Sequence, residues 1–207
     1  YRLGVDLPSE SRGFIPNAEF YSKSYRGANW SGNTIISVSI GQGEILATPI
    51  QIANLSATIA NRGYFYTPHV VKAIQDTILP KEFLLNRAPH IDKKYYDIVA
   101  EGMRMAVTGG TCRAANIPGL EVCGKTGTAQ NPHGKDHSAF MGFAPMSNPR
   151  IAICVYVENA GFGATFGVPI GTLMMEMFLK GEISAEHKAM EDRMINSKTF
   201  VYHGDKK

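Results

Sequence analysis

Leu120-Glu121-Val122-Cys123-Gly124-Lys125-Thr126-Gly127-Thr128-Ala129-Gln130 is the stretch on which the reading of this chain turns. A short β-like run, Leu120 to Cys123, leads into six residues that combine a cation, two hydroxyls and a bare glycine backbone. Such a strand suits the anionic tail of a substrate and offers a backbone N–H to a developing oxyanion. Gly127 places no side chain in the way of a peptide laid along the strand. Alternation puts Thr126 and Thr128 on one face and Lys125 on the other, which leaves open how Lys125 would reach a ligand held by the threonines. A Lys-(Ser/Thr)-Gly-(Ser/Thr) string arises by chance in roughly one chain in a hundred of this length. The flanking sequence has to decide its meaning.

Downstream, the polar loop Asn131 to Asp136 is followed by two strand candidates, Ser138 to Ala144 and Ile151 to Val157, with Asn148-Pro149 turning between them. Three strands joined by short loops predict an antiparallel meander. A helix over about Ile170 to Leu179 carries Leu173, Met174, Met177 and Phe178 as core residues and stops at Gly181. The charged stretch 182–207 is read as a partly ordered tail.

Upstream, Thr48, Pro49 and Gln51 form a helix start with a capping box, and the helix runs to about Asn61, with Gly63 as its left-handed exit. Its residues are apolar almost all round, which predicts a buried central helix. Asp92 caps a second helix with Tyr95, Val99, Met103 and Ala106 inward, ending at Gly109-Gly110. Thr34 to Ile40 alternates like a strand with one dry face, and Gly41-Gln42-Gly43-Glu44 reads as a turn. Residues 1–33 read as a strand and a loop-rich connection, and Tyr64 to Pro68 and Val70 to Ile74 as extended segments, with Tyr64, Phe65 and Tyr66 in the core. The layout is an α/β (α+β) sandwich, helices packed on a mainly antiparallel sheet.

Composition narrows the function classes. With 207 residues and 44% apolar content the chain can bury one ordinary core or two small ones. A formal charge of +3 without a Lys/Arg cluster does not point to nucleic acid. Cys112, Cys123 and Cys154 are odd in number and lack a C-x-x-C pair, so they read as packed free thiols. His133 and His137 flank Gly134-Lys135-Asp136 without further ligands and read as surface loop residues; no metal or cofactor is implied. No run of about 18 apolar residues is present. The chain opens in mid-pattern at Tyr1 without Met, so it is expected to be a piece of a longer protein.

Several blocks besides Lys125 to Gln130 carry a family resemblance. They are Gly41-Gln42-Gly43 with Ala47-Thr48-Pro49-Ile50-Gln51, Asn61-Arg62-Gly63 with Pro68-His69, Phe140 to Pro145, Val157-Glu158-Asn159 and Gly171-Thr172-Leu173-Met174. In this order, over about residues 1–180, the chain resembles the transpeptidase domain of class B penicillin-binding proteins, above all the elongation-type penicillin-binding protein 2 group. The resemblance implies a five-stranded sheet between helices. It also implies an acyl-serine D,D-transpeptidase that cross-links peptidoglycan stem peptides and is inhibited by β-lactams. Lys125 would support the nucleophile's proton network, Thr126 and Thr128 would bind the terminal carboxylate, and the Thr128 N–H would serve the oxyanion. Gln130 either touches substrate or simply ends the strand.

The family's nucleophile lies in an S-x-x-K motif, and no Lys here follows a Ser by three positions. The one S-x-N string, Ser31-Gly32-Asn33, lies immediately before Gly41-Gln42-Gly43 and is read as a polar turn. Residues 1–181 are therefore expected to be the C-terminal half of a catalytic domain whose serine lies elsewhere, and the isolated piece is expected to be inactive. Its expected partners are the missing N-terminal half, stem peptides, β-lactams and the glycosyltransferase of the elongation machinery. An upstream anchor would hold the parent at the periplasmic face of the bacterial inner membrane. The alternatives are a β-lactam-sensing receptor domain and a β-lactamase-like hydrolase.

Overall fold

The computed structural model describes residues 2–26, 28–73, 75 and 77–198. The chain divides into two compact units, Tyr1–Asp97 and Ile98–Lys207. Seven helices are found among the described residues: α1 (Ala18–Ser24), α2 (Gly32–Ser39), α3 (Pro49–Ala60), α4 (Lys81–Leu84), α5 (Lys94–Thr108), α6 (Gly167–Lys180) and α7 (Lys188–Ile195). Three strands, β1 (Cys123–Ala129), β2 (His137–Ala144) and β3 (Ile151–Val157), form an antiparallel sheet in the order β1-β2-β3. The predicted meander is borne out, with three strands among the described residues where the resemblance implies five.

In the first unit α3 starts as expected. Thr48 Oγ1 accepts from Gln51 N at 3.3 Å and Gln51 Oε1 accepts from Thr48 N at 2.9 Å. Its exit takes two residues at positive φ, Arg62 at 58° ahead of the expected Gly63 at 106°. Guanidinium bonds to Ala60 O at 2.7 Å and to Asp97 Oδ1 at 2.7 Å hold Arg62 there. Gly63 is needed for another reason, since a Cβ on it would lie 2.7 Å from the Tyr96 ring. The helix also buries the opposite residues from those composition suggests. Asn54, Ser56, Thr58 and Ala60 are buried, while Ile50 and Leu55 are 40% and 49% exposed. Small polar residues can face inward because their hydroxyls bond back into the helix, as Thr58 Oγ1 does to Asn54 O at 2.7 Å. Ile52 and Leu55, with Leu3, Phe14, Ile45 and Leu46, line an open apolar groove of about 720 Å³.

Thr34 to Ile40 is helix, not strand. The Ser31 N–H donates to Thr34 Oγ1 at 3.4 Å, so Ser31-Gly32-Asn33 opens α2 where a turn was expected. The helix closes on Gly41 at φ 78°, with Gly41 N donating to Val38 O and Gln42 N to Ser37 O. That pair of bonds is a Schellman closure, which needs a residue without Cβ at its left-handed position. Alternating Ile36, Val38 and Ile40 imitated a strand, but a strand's N–H groups need a partner ladder and these found one inside the helix.

The same accounting bears on the strand expected within residues 1–33 and on the extended segment from Val70, neither of which forms a ladder strand among the described residues. Leu3 and Gly4 donate to the Glu10 carboxylate at 2.5 and 3.0 Å, and Val70 and Val71 donate to Asp6. Bonds from Val71 and Val70, working against a smaller desolvation, hold the Asp6 carboxyl below its usual range. Ile74 lies outside the described residues. Residues 1–33 also hold α1, capped by Asn17, whose Oδ1 accepts from Phe20 N at 2.9 Å. Of Tyr64, Phe65 and Tyr66 the first two are half-buried and Tyr66 is exposed, so this trio is not core.

The predicted second helix is present, with Asp92 Oδ1 accepting from Lys94 N at 3.1 Å. Its buried stripe is Tyr96, Ala100, Met103 and Val107; Met103 is inward as expected, while Tyr95 and Val99 are exposed and their next neighbours take their place. Likewise α6 buries Val168, Thr172, Met175 and Glu176 and exposes Met174, Met177 and Phe178, which overturns the core assignment of those last three. Gly181 closes α6, as expected, at φ 82°.

The core of the second unit is built around Phe140 of β2, which is 1% exposed. Gly124, Gly142, Gly167 and Gly171 surround it. A Cβ on Gly124 or Gly171 would lie 2.5 Å from its ring, and one on Gly167 would lie 3.1 Å from its Cβ. Val107, Ile117, Val122, Val155, Val168 and Met175 complete the cluster.

The segment after Gly181 packs through Ile183 and His187, both buried. Glu176, fully buried, accepts from Lys180 Nζ at 3.2 Å and meets His187 Nδ1 at 2.7 Å. Burial alone would raise the Glu176 carboxyl, but bonds from His187, Ser184 and Lys180 outweigh it and hold it below its usual range. A depressed carboxylate stabilises the fold above the unfolded-state value of roughly 4.3, and that contribution fades as pH falls through the native value. We therefore expect His187→Ala to lower stability by about 1.5–3 kcal/mol in urea unfolding at pH 7, with the difference from the parent shrinking below about pH 4. Gly171→Ala, which drives a methyl into the Phe140 ring, should lower stability by about 1–3 kcal/mol or more at every pH.

Candidate functional site

Among the described residues β1 is paired with β2 alone, with Lys125 opposite Met141, Thr126 opposite Phe140, Gly127 opposite Ala139 and Thr128 opposite Ser138. The cross-strand register puts Thr126 and Thr128 on the face that holds Phe140, and Lys125 on the other, as alternation requires. Phe140 fixes that face against α6, so the threonines sit at the rim of the core. Both are half-buried and neither is sealed inside.

Each hydroxyl has a named protein partner. Thr126 Oγ1 lies 2.9 Å from Thr111 Oγ1, and Thr128 Oγ1 accepts from Gly163 N at 3.4 Å. Ser138, beside Thr128 on the neighbouring strand, donates to Phe162 O at 2.8 Å and accepts from Gly167 N at 3.0 Å. These bonds pin the 162–167 segment over the threonine face just before α6 begins.

Lys125 reaches the same strand edge by a route that alternation alone does not reveal. It is exposed, and its Nζ turns back to donate to the carbonyl of the next residue, Thr126 O, at 2.8 Å. The N–H of Thr126 bonds the Cys112 sulfur. In a strand the N–H and C=O of one residue point the same way, and residues two apart are equivalent. The ammonium and the backbone groups of Thr126 and Thr128 therefore face the side of β1 away from β2. A carboxylate or developing oxyanion there meets charge-assisted and amide donors.

Gln130 lies just past the end of β1 and is exposed. The loop beyond it is braced internally. Asn131 N donates to Asp136 Oδ1 at 3.1 Å, and Asn131 Nδ2 donates to Asn159 Oδ1 at 2.7 Å. Asn159, at φ 55°, is thus a brace between two loops. His133 is an exposed loop residue, whereas His137 opens β2, accepts from Asn159 N at 3.0 Å and stacks on Tyr156. No group of three potential metal ligands occurs among the described residues.

Thr111 and Cys112 are neighbours of Thr126 that motif reading did not connect with it. They follow Gly109-Gly110, and the helix exit, not any motif, brings them to β1. Cys112 and Cys123 are buried free thiols and Cys154 is half-buried, as the cysteine count implied. Desolvation raises the Cys112 thiol despite opposing bonds from Thr111 and Thr126, and desolvation pushes Cys154 up to about 11. At pH 8 roughly one Cys154 in a thousand is thiolate. We expect iodoacetamide at pH 8 to leave Cys112 and Cys154 unmodified in the native protein and to alkylate both in denaturant, read by peptide mass.

Residues 1–175 match the family described as "Transpeptidase: Penicillin binding protein transpeptidase domain". The chain is 38% identical over 186 residues to the peptidoglycan D,D-transpeptidase MrdA of Acinetobacter baumannii, covering 79% of this chain and 27% of that protein. It is also similar to PBP2 of Pseudomonas aeruginosa, crystallised in complex with WCK 5153, at TM-score 0.73 and 34% identity, covering 87% of this chain and 40% of that one. PBP2 of Helicobacter pylori, solved as a complex with MreC, is similar at TM-score 0.73 and 26% identity, covering 88% and 34%. The chain thus spans about a quarter to two fifths of the length of these proteins.

Proposed function

The chain belongs to the penicillin-binding protein transpeptidase domain family, and from that premise we propose that it supplies the substrate-binding strand of a peptidoglycan D,D-transpeptidase. The observation that carries this reading is the one-sided edge of β1. Lys125 Nζ folds onto the Thr126 carbonyl and the Thr126 N–H is directed to the same side, so by strand equivalence the Thr128 N–H is too. The terminal carboxylate of a D-Ala-D-Ala peptide docks at Lys125, Thr126 and Thr128, and the scissile carbonyl oxygen lies at the Thr128 N–H, with Gln130 further along the bound peptide.

The nucleophile is a serine contributed by a part of the same polypeptide outside these residues. Its oxygen bonds the penultimate carbonyl carbon, the C–N bond breaks, and the departing D-Ala nitrogen takes a proton. An amine of a neighbouring stem peptide then attacks the acyl-serine, forms the new amide and returns the proton to the serine. Lys125 contributes positive field and keeps the proton network poised. β-Lactams enter the same site and stop at the acyl stage.

That remaining part of the polypeptide is also the occupant that the groove along α3 calls for, since Leu46 and Leu55, both exposed, line it. No described helix is long and apolar enough to cross a membrane. An anchor outside these residues would hold the protein at the periplasmic face of the inner membrane, where a glycosyltransferase and a protein like the MreC of the H. pylori complex are its partners.

The test is covalent labelling of the full-length protein with fluorescent penicillin. Wild-type protein is expected to form a stable adduct, and Lys125→Ala or Thr126→Val to lower the second-order acylation rate by about tenfold to a hundredfold. Absence of any adduct in an intact full-length protein would remove the reading, and rapid turnover of nitrocefin would move it to a β-lactamase. The isolated 207-residue chain is expected to stay unlabelled; a penicilloyl mass on it would place a nucleophile within these residues.

A further inference from the structure

We propose that Thr111 is a positioning residue for substrate recognition, acting through Thr126 to build a two-hydroxyl relay for the ligand's carboxylate. The inference rests on the reading above of β1 as the substrate strand. Its basis is a contact that joins two distant pieces of sequence. Thr111 Oγ1 lies 2.9 Å from Thr126 Oγ1, and both hydroxyls sit where the chain is at least partly open to solvent.

The backbone holds Thr111 there on two sides. Gly110 permits the helix exit to fold tightly back, because a Cβ on it would lie 2.8 Å from Ala106 Cα. The turn is locked by Cys112 N donating to Ala106 O at 2.9 Å, and the next residue but two closes on it through Ala115 N to Cys112 O at 2.8 Å. Cys112, fully buried, takes the Thr126 N–H on its sulfur. Two consecutive residues therefore meet Thr126, Thr111 at its hydroxyl and Cys112 at its amide and hydroxyl, with the Thr111 hydroxyl also against the Cys112 sulfur, a weaker acceptor than an oxygen.

Proton counting sets the direction. Two hydroxyls own two protons, and one lies between the oxygens. A carboxylate can only accept, so with ligand bound Thr111 donates to Thr126 Oγ1 and Thr126 donates to the anion. A donor that itself accepts a bond is the stronger donor, and its rotamer is fixed before the ligand arrives. A purely structural Thr111 would brace β1 for every ligand alike; a relay acts only on ligands that carry the negative charge.

The experiment compares acylation of the full-length protein by benzylpenicillin and by its methyl ester, for wild type, Thr111→Val, Thr111→Ser, Thr126→Val and the T111V/T126V double variant, with thermal midpoints alongside. Thr111→Val is expected to slow the acid about threefold to tenfold and leave the ester within about twofold. Thr111→Ser is expected to restore the acid rate, and the double variant to be no slower than Thr126→Val. Equal slowing of acid and ester, an unchanged acid rate in Thr111→Val, or additive losses in the double variant would each overturn the relay. If Thr126→Val slows the acid and Thr111→Val does not, only the role of Thr111 falls. If wild type is never acylated, or Thr126→Val slows nothing, the assignment of β1 falls with it.

Discussion

The second unit depends on one aromatic ring held against four glycines. Phe140 is nearly inaccessible, and a Cβ on Gly124, Gly142, Gly167 or Gly171 would stand 2.5–3.1 Å from its atoms. Such an arrangement lets α6 approach the sheet more closely than ordinary side chains allow, and it fixes which face of β2 is inward. Interiors pack at crystal-like density, so a constraint of this kind propagates. Because Thr126 stands opposite Phe140 in the register, the ring also decides where both threonines of β1 lie. Core and site share a single determinant.

From that constraint the chemistry of the edge follows. Among the described residues β1 has β2 as its one strand neighbour, and the edge of a sheet is a row of donors and acceptors that suits an extended peptide. Here part of the row is occupied: Cys112 takes the Thr126 amide and Lys125 takes the Thr126 carbonyl.

Where the sequence was misread, local pattern lost to backbone accounting. Ile36, Val38 and Ile40 alternate as a strand does, yet the Ser31 start and the Gly41 closure made the segment helical. The segments near Leu3 and Val70 look extended, but Glu10 and Asp6 consume the N–H groups that a ladder would need. In α3, α5 and α6 the helices lie close to where they were expected, and the inward stripe is what differs. Intrinsic periodicity gives a helix its apolar arc; which edge of the arc is buried is chosen by neighbours, and in α6 by a glycine-lined approach to Phe140.

By itself the sequence determined the family resemblance, the order of the late strands, the starts of α3 and α5, and the identity of Lys125, Thr126, Gly127 and Thr128 as candidate site residues. Those features depend on contiguous residues, where capping geometry, two-residue alternation and motif spacing act directly. Only the tertiary structure decided how Lys125 turns onto its own strand's edge, and that Thr111 and Cys112 stand at Thr126. It also decided that Glu176 is buried with Lys180 and His187. The Thr111–Thr126 and Glu176–His187 meetings depend on how helices exit and pack, and no local pattern encodes a distance between residues eleven or fifteen places apart.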